Sequence, residues 1–389
     1  MHAILFVTML VVCSTTSKIV RLPLTIIDCS ENGQTCLNAA RSVGIAHARL
    51  TYGHSQSLID IDLFNDDKEM YMMTSIHFGN DKKSIDLIVD SGSSNLWINR
   101  DDCGNDDTGL KGDCDAATTP KSLYYLDGEI HGKMAKTSVW LNNGQIESRD
   151  HHVTIITKKS ELMNYGILGM ARGYDAEPTF LMTLKDNGVI EKQAFAIYTD
   201  NEKSTLVLGG VDQSLVQAGA AEVTVPLINK DSFYFKIEGA RFGDEIISME
   251  FTNALADSGN TLISFPAYLS NTVVNTLSKL GLECFLLKES NPLFHELVCK
   301  MTDEQLFPDL HFVIKDTLFT VTGDHLKSTC YQTNGGFFYD DYVSEIKECL
   351  IKIEFFGNGN YFTLGKAFLQ KVYTTFNLDD QTITFAQNK

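Results

Sequence analysis

The chain has 389 residues, of which 43% are hydrophobic and 21% are charged, and its formal net charge is −18 at pH 7. This length allows a large buried core and predicts two lobes or domains. The negative charge argues against nucleic acid or an anionic membrane surface as a partner. The composition is otherwise that of an ordinary globular protein.

The first seventeen residues have the pattern of a secretory signal peptide. An apolar run at residues 3–12 precedes small residues at 14–17, although no Lys or Arg comes before the run. The alternative interpretation is a buried N-terminal strand. No later stretch has the roughly eighteen apolar residues of a membrane span. We therefore expect a product outside the cytosol that makes no membrane contact.

Residues 18–58 form a basic segment in an otherwise acidic chain. Four basic residues against two acidic ones give this segment a net charge of +2, which leaves −20 for the residues after it. Opposite charges favour docking of the segment on the remainder of the chain. Protonation of carboxylates at low pH would weaken that attraction.

The most informative stretch covers residues 87–98. An apolar run enters Asp90-Ser91-Gly92-Ser93, and a second apolar run that includes Trp97 leaves it. This pattern predicts a strand, a tight turn and a strand, with the Asp90 carboxylate held in the interior. A buried ionised carboxylate is costly unless it is paired or hydrogen-bonded. Such a group is a candidate for function, although structural networks also bury carboxylates.

The same layout returns 167 residues later (257 minus 90), at Asp257-Ser258-Gly259-Asn260. One Asp-Ser-Gly sequence is weak evidence, because about 0.2 copies are expected by chance in a chain of this length. Two copies with apolar entry and exit, one in each half, are much more specific. They predict two carboxylates that meet at a seam between two lobes.

After residue 58 the chain reads as many short strands separated by turn signals, which predicts a mostly β protein. Two stretches have helical patterns. Residues 178–187 have a proline near the start and Gly188 just beyond, and residues 266–280 place their apolar residues on one face before Gly281. The pair His151-His152 is expected in a solvated loop.

These motifs resemble those of the pepsin family of aspartic endopeptidases, over nearly all of the chain from about Asp62. The two Asp-Ser-Gly sequences match the family's active-site loops, and Trp97 follows the first aspartate by seven residues, as the family's tryptophan does. Four further segments match in the right order. They are Tyr125-Leu126-Asp127-Gly128 as a flap hairpin, Gly166-Ile167-Leu168-Gly169 and Phe362-Thr363-Leu364-Gly365 behind the two loops, and Phe307-Pro308-Asp309-Leu310.

The resemblance implies a bilobal fold. Two β lobes related by a pseudo-twofold axis, residues 59–228 and 229–389, would enclose a cleft. Residues 18–58 would be a propeptide that inhibits the enzyme. The family usually has a lysine near the end of this segment, and none is present at residues 19–67, so Arg49 is the nearest substitute.

The resemblance and the residue chemistry agree that Asp90 and Asp257 are catalytic. Two carboxylates at one seam cannot both ionise easily, so they share a proton and titrate as a pair. One can act as general base on water while the other protonates the peptide carbonyl. This chemistry requires no metal and no cofactor, and no Cys-x-x-Cys or His-x₃-His spacing indicates zinc.

The residues beside the aspartates are implied to support the two loops. Ser91 and Ser258 would bond the opposite lobe's backbone, and Ser93 would bond Asp90. Asn260 stands where the family usually has Thr or Ser, although its amide is able to donate to Asp257. Gly92 and Gly259 complete the loops. Other departures are Leu126, where many members have Gly, and Lys366, where Asp is frequent.

The flap is the expected substrate-binding element. Tyr125 precedes Gly128 by three residues, and its hydroxyl would reach Trp97 and close the flap over a substrate. Tyr124 takes this role if the hairpin register slips by one residue. The alternative interpretations are a tyrosine pair in an ordinary strand and simple core packing of Trp97. Binding of an extended peptide suits an endopeptidase, and we expect a preference for bulky apolar side chains at the cleavage site.

The chain contains nine cysteines. Cys13 lies in the predicted signal peptide, and Cys29 and Cys36 could close a small loop in the propeptide. The six others are an even number, which suits an oxidising compartment. By position, the resemblance implies bridges Cys103–Cys114 and Cys299–Cys330, which leaves Cys284 and Cys349 for a third.

We therefore expect a monomeric aspartic endopeptidase, made as a zymogen and either secreted or held in a lysosome-like acidic compartment, with polypeptides as substrates. The alternative is a catalytically inactive relative that keeps the cleft as a peptide-binding groove. A serine hydrolase is poorly supported, because the chain has no Gly-x-Ser-x-Gly elbow.

Overall fold

Strands make up most of the architecture in a computed structural model of the chain. The structure describes residues 58–65, 71–104, 109–125, 128–158, 165–173, 177–199, 204–217, 219–288, 293–302, 304–332, 346–357 and 359–387. The predicted signal peptide, residues 18–57 of the predicted propeptide and Leu126 lie outside these ranges. Within them, residues 58–387 belong to one compact unit.

The first eleven strands in chain order are β1 (Ile59–Asn65), β2 (Met72–Phe78), β3 (Lys83–Asp90), β4 (Leu96–Asn99), β5 (Thr119–Tyr125), β6 (Gly128–Leu141), β7 (Ile146–Lys158), β8 (Gly166–Gly169), β9 (Ala194–Thr199), β10 (Ser204–Leu208) and β11 (Glu222–Pro226).

The strands that follow are β12 (Tyr234–Lys236), β13 (Gly239–Phe242), β14 (Glu245–Ile247), β15 (Asn253–Ala256), β16 (Ile263–Pro266), β17 (Glu283–Lys288), β18 (Phe294–Met301), β19 (Leu310–Ile314), β20 (Thr317–Val321), β21 (Lys327–Gln332), β22 (Lys347–Phe356), β23 (Phe362–Leu364), β24 (Val372–Asn377) and β25 (Thr382–Gln387).

The helices are short. Both predicted helices are present, and each is followed by a glycine with positive φ, Gly188 at 69° and Gly281 at 83°, a backbone conformation that glycine adopts without steric cost. The described residues also contain three shorter α-helices and a 3₁₀ helix at Arg100–Cys103 that the sequence pattern did not predict, and a 3₁₀ helix at Ala267–Leu269 begins the second predicted helix. The α-helices are α1 (Leu110–Asp115), α2 (Phe180–Asp186), α3 (Ser270–Lys279), α4 (Gly323–Leu326) and α5 (Lys366–Leu369). No helix in the described ranges is both long and apolar enough to cross a bilayer.

The strands of the described residues form three sheets. The largest has the order β11-β25-β24-β9-β10-β1-β2-β3-β8-β4-β7-β6-β5, the second has β12-β15-β23-β16-β22-β18-β17 with β21 paired to β22, and the third has β14-β13-β19-β20. In the first, the C-terminal strands β24 and β25 lie between β11 and β9. The two halves of the chain therefore share one sheet, and this is the bilobal pepsin-like fold that the sequence predicted.

Each half repeats one arrangement around its Asp-Ser-Gly loop. β3 runs into the first loop and pairs in parallel with β8, and β15 runs into the second and pairs in parallel with β23. A glycine ends each supporting segment because a side chain there would meet the loop backbone. An added Cβ would lie 2.4 Å from the nitrogen of Asn95 at Gly169, and 2.1 Å from the oxygen of Leu262 at Gly365.

Phenylalanine dominates the core of the C-terminal half. Phe265, Phe312, Phe355 and Phe362 are fully buried, and the rings of Phe265 and Phe362 meet edge to face with centroids 5.0 Å apart. Each buried ring of this kind contributes about 2 kcal/mol through apolar burial. This packing holds β16, β22 and β23 behind the second loop.

The prediction that His151 and His152 lie in a solvated loop is wrong. Both residues lie on β7, and His151 is 1% exposed. Its Nε2 is 2.8 Å from the hydroxyl of Ser148, and its ring centroid lies 5.3 Å from that of Phe180. The helix α2 packs on this face of β7 and covers the His151 side chain, which would otherwise face solvent.

The disulfide between Cys103 and Cys114 is present, as expected. The implied pairing of the other four cysteines is wrong. Antiparallel pairing sets Cys284 opposite Cys299 and Cys330 opposite Cys349. Each of these pairs is bonded, with a Cα–Cα distance of 4.0 Å. Position along the chain could not show this result, because it depends on which strands are neighbours.

Candidate active site

The two Asp-Ser-Gly loops meet through their serines. The backbone nitrogen of Ser91 donates to the Ser258 hydroxyl at 2.9 Å, and the nitrogen of Ser258 donates to the Ser91 hydroxyl at 2.9 Å. The Ser91 hydroxyl donates to the carbonyl of Ala256 at 2.9 Å, and the Ser258 hydroxyl donates to the carbonyl of Val89 at 2.7 Å. Both serines are almost fully buried. The serine cross-link therefore fixes the position of one loop relative to the other.

The loop glycines let the aspartates approach. A Cβ added to Gly92 would lie 2.5 Å from Asp257 Oδ2, and one added to Gly259 would lie 2.5 Å from Asp90 Oδ1. Each glycine thus supplies the space for the carboxyl group of the other half. The carboxyl groups of Asp90 and Asp257 are hydrogen-bonded to each other.

The two carboxyl groups have different environments. Asp90 accepts from the nitrogen of Gly92 at 2.8 Å and from the Ser93 hydroxyl at 2.5 Å. Asp257 accepts from the nitrogen of Gly259 at 2.9 Å and from the backbone of Asn260. Burial, followed by the charge of Asp90, raises the pKa of Asp257 well above the usual range of an aspartic acid.

The side chain of Asn260 is directed away from Asp257, so its amide does not make the donation to that carboxyl that its chemistry would allow. Its Nδ2 donates to the Ser264 hydroxyl at 2.8 Å and to the carbonyl of Leu262 at 3.3 Å. The Ser264 hydroxyl in turn donates to Glu354 on β22. Ser264 and Glu354 are buried, because β16 and β22 pair in parallel with these residues opposite each other.

The sequence interpretation missed Ser264 and Glu354. A signal for Glu354 does exist, since a single carboxylate interrupts the buried strand residues 353–356. Nothing in the sequence connects it to Ser264, ninety positions earlier. Lys366, another departure from the family pattern, is also buried, and its backbone nitrogen donates to the carbonyl of Asn260 at 2.7 Å.

The flap is a hairpin of β5 and β6 in which Tyr125 pairs with Gly128. Trp97 Nε1 donates to the Tyr125 hydroxyl at 2.9 Å, and this hydroxyl is also hydrogen-bonded to Ser93. Tyr124 is 77% exposed on the outer face, which identifies Tyr125 as the inward tyrosine. Gly128 has a φ of 136°, which favours glycine directly after the turn. Burial raises the pKa of Tyr125, so its hydroxyl stays protonated.

An apolar wall surrounds this tyrosine. Tyr125 packs on a cluster of buried side chains that links the flap to the first loop. The members of the wall are Met73, Ile88, Trp97, Leu123, Ile130, Ile156 and Ile167.

In the described ranges, no three His, Cys, Asp or Glu side chains are grouped as a metal site.

The model of the eukaryotic aspartyl protease family matches residues 71–388. This chain belongs to that family and is an aspartic-type endopeptidase. An acid protease of Saccharomycopsis fibuligera is 26% identical over 82% of this chain and 81% of its own. Candidapepsin-3 of Candida albicans is 23% identical over 85% of this chain and 82% of its own length. Vacuolar protease A of Aspergillus fumigatus is 25% identical over 81% of this chain and 78% of its own length.

Proposed function

We propose that the protein is made as a zymogen and hydrolyses peptide bonds at acid pH with a water molecule activated between Asp90 and Asp257. The observation that carries this proposal is the reciprocal approach of each carboxyl group to the glycine of the other loop. No other pair of carboxyl groups in the described ranges is held in this way by two repeated loops.

The different surroundings of the carboxyl groups support different roles. Asp257, with its raised pKa, holds the shared proton and donates it to the carbonyl oxygen of the peptide. Asp90, which accepts from Gly92 and Ser93, takes a proton from the attacking water. The leaving amine then receives a proton from the pair, and the starting state is restored.

Substrate binding is assigned to the flap and its apolar wall. Tyr125 closes over an extended peptide while Trp97 holds its hydroxyl. The wall of aliphatic side chains favours a bulky apolar residue at the cleavage site. Ser91, Ser93, Ser258, Gly92, Gly259 and Asn260 act by holding the two loops.

The zymogen proposal rests on charge and on strand β1. Residues 1–17 are assigned as a signal peptide and residues 18–58 as an inhibitory propeptide of net charge +2. Ile59 begins β1 and pairs with Leu208 of β10, so cleavage just before this strand leaves the sheet complete. Residues 59–228 and 229–389 are then the two catalytic lobes.

A secreted or acidic-compartment location agrees with three disulfides in the described residues. The relatives include a secreted aspartic protease of Candida albicans and a vacuolar protease of Aspergillus fumigatus. A monomer suffices, because one chain supplies both aspartates.

The test is digestion of denatured haemoglobin, a generic unfolded substrate, by acid-activated protein between pH 2 and 7. Asp90→Asn and Asp257→Asn should each abolish cleavage. Asp244→Asn is the matched control, because Asp244 is a fully exposed carboxylate. If folded protein freed of residues 18–58 cleaves nothing at any pH, the proposal fails. Binding of peptides without turnover would then support a peptide-binding groove.

A further inference from the structure

Four cysteines form a continuous row across four neighbouring strands of the second sheet. Cys284 on β17 is opposite Cys299 on β18, Cys299 is also opposite Cys349 on β22, and Cys349 is opposite Cys330 on β21. We call these four residues the cysteine row. The two disulfides join its outer pairs. The central pair, Cys299 and Cys349, is adjacent but not bonded.

Sheet geometry places the central pair within bonding reach. In an antiparallel sheet, opposed residues alternate between narrow pairs about 4.5 Å apart and wide pairs about 5.5 Å apart at Cα. A residue forms its ladder hydrogen bonds toward only one neighbouring strand. Both outer pairs are narrow, with Cα–Cα distances of 4.0 Å, so the central pair is the wide one. A separation of about 5.5 Å is ordinary for a disulfide.

The side chains of the row also share one face. Directly opposed residues of neighbouring strands project to the same side of a sheet. The sulfur atoms of the row therefore lie side by side, and a thiolate on either central residue would face the disulfide of the other. Attack of a thiolate on an adjacent disulfide is the elementary step of thiol–disulfide exchange.

Access to the row is one-sided. Cys330 is partly exposed on β21, which pairs only with β22 among the described strands. Cys284, Cys299 and Cys349 are buried, at 9%, 0% and 1% exposure. A dissolved thiol would therefore react first at the Cys330 sulfur. This attack expels Cys349, which is the cysteine that faces Cys299.

We propose that Cys330 is a site of reversible S-thiolation by a low-molecular-weight thiol, and that the cross-link then moves to Cys299–Cys349. The incoming thiol loses its proton and bonds Cys330, and Cys349 leaves with the electron pair. The Cys349 thiolate attacks Cys299, and Cys284 leaves and takes up a proton. One thiol is consumed and the number of disulfide bonds is unchanged. A second thiol releases the adduct as a symmetrical disulfide, which leaves thiols at Cys284 and Cys330.

The rearrangement keeps a covalent tie in the centre of the sheet. The Cys299–Cys349 bond joins β18 to β22, and β22 pairs with β16 directly after the second loop. The outer strands β17 and β21 lose their cross-links instead. This inference is independent of the catalytic proposal, because it rests on strand register and exposure alone.

The first experiment treats the folded, full-length protein with graded reduced glutathione, quenches in acid, blocks free thiols and maps peptides without reduction. We expect a glutathione adduct on Cys330, a linked Cys299–Cys349 peptide, and an intact Cys103–Cys114 bond as internal reference. If the two outer disulfides open to four thiols and no central link ever forms, the proposal is wrong. An adduct confined to the other cysteines of the row would also overturn it.

A second experiment needs no added thiol. Cys330→Ser leaves Cys349 as a thiol facing Cys299, and Cys284→Ser leaves Cys299 facing Cys349. We expect the Cys299–Cys349 peptide in both variants, with the free thiol at Cys284 in the first and at Cys330 in the second. Cys114→Ser is the control, since its remaining Cys103 has no opposed disulfide. Exclusive retention of the Cys284–Cys299 bond in folded Cys330→Ser contradicts the proposal, and should a variant not fold, the glutathione experiment decides.

Discussion

Asn260 donates its side-chain amide to the hydroxyl of Ser264 at 2.8 Å, whereas Ser93, its counterpart in the first loop, donates to Asp90. The pseudo-twofold symmetry of the two loops is therefore broken at this position. Asp90 receives a side-chain hydroxyl, and Asp257 is held by backbone nitrogens and by Asp90. The difference lies next to the carboxyl group with the raised pKa.

Asn260→Ser should move the pH profile toward acid. A serine hydroxyl that donates to ionised Asp257 favours the charged form and lowers its pKa, and activity needs this group protonated. One hydrogen bond of about 1 kcal/mol corresponds to a shift of about 0.7 pH unit in the alkaline limb of kcat/KM. The limb is measured with a peptide substrate between pH 2 and 7.

Asn260→Ala is the matched control for that experiment. It removes the bond to Ser264 without supplying a donor to Asp257. We expect its alkaline limb to stay where that of the unaltered protein lies. Equal shifts in the Ser and Ala variants would mean that the amide acts through Ser264 and Glu354 rather than through an absent hydroxyl.

The loop glycines should tolerate no side chain. Gly92→Ala and Gly259→Ala each place a Cβ about 2.5 Å from the opposite carboxyl group, so one loop must move. We expect activity to fall at least a hundredfold, with a loss of about 2 kcal/mol in the free energy of unfolding. Gly112→Ala is the control, because nothing lies within 4 Å of its added Cβ. Full activity in Gly92→Ala would refute the close approach of the loops.

Tyr125→Phe should weaken flap closure. It removes the hydroxyl that bonds Trp97, and one such bond is worth about 1 to 2 kcal/mol, or roughly 5- to 30-fold in kcat/KM. Tyr124→Phe, on the exposed face of the same strand, should change kcat/KM less than twofold. Steady-state kinetics with an apolar peptide substrate measures both. Equal losses in the two variants would point to the hairpin as a whole rather than to the inward hydroxyl.

His151 should limit stability in acid. Burial lowers its pKa to about 3, from an ordinary value of 6.5. The unfolded chain therefore binds a proton first, so folded stability declines as the pH falls from about 6.5 and stops declining below about 3. His151→Gln removes this titration and can still bond Ser148.

Urea denaturation at pH 6.5 and 4.5 measures the effect. Relative to the unaltered protein, the free energy of unfolding of His151→Gln should rise by about 2 to 3 kcal/mol between these pH values. His131→Gln is the control, since that side chain is 52% exposed. A difference that does not change with pH would show that His151 contributes packing alone.

Local pattern was sufficient to predict the two loops, the mostly β fold and both longer helices, because each depends on residues close together in sequence. The inward position of Tyr125 followed from its spacing to Gly128. Pairing of distant strands was not predictable in this way. It sets the cysteine partners and covers His151, and it brings Glu354 beside Ser264. In each case the decisive neighbour lies far along the chain.

Strands β24 and β25 stand between β9 and β11 in the largest sheet, and this order has a consequence for biosynthesis. A nascent chain that has left the ribosome as far as residue 371 has β9 and β11 but lacks β24, which pairs with β9, and β25, which pairs with β11. Unpaired strand edges are templates for association with other chains. The edges of β9 and β11 that β24 and β25 cover therefore stay open to pairing with other chains while the second half is translated, until the final hairpin docks.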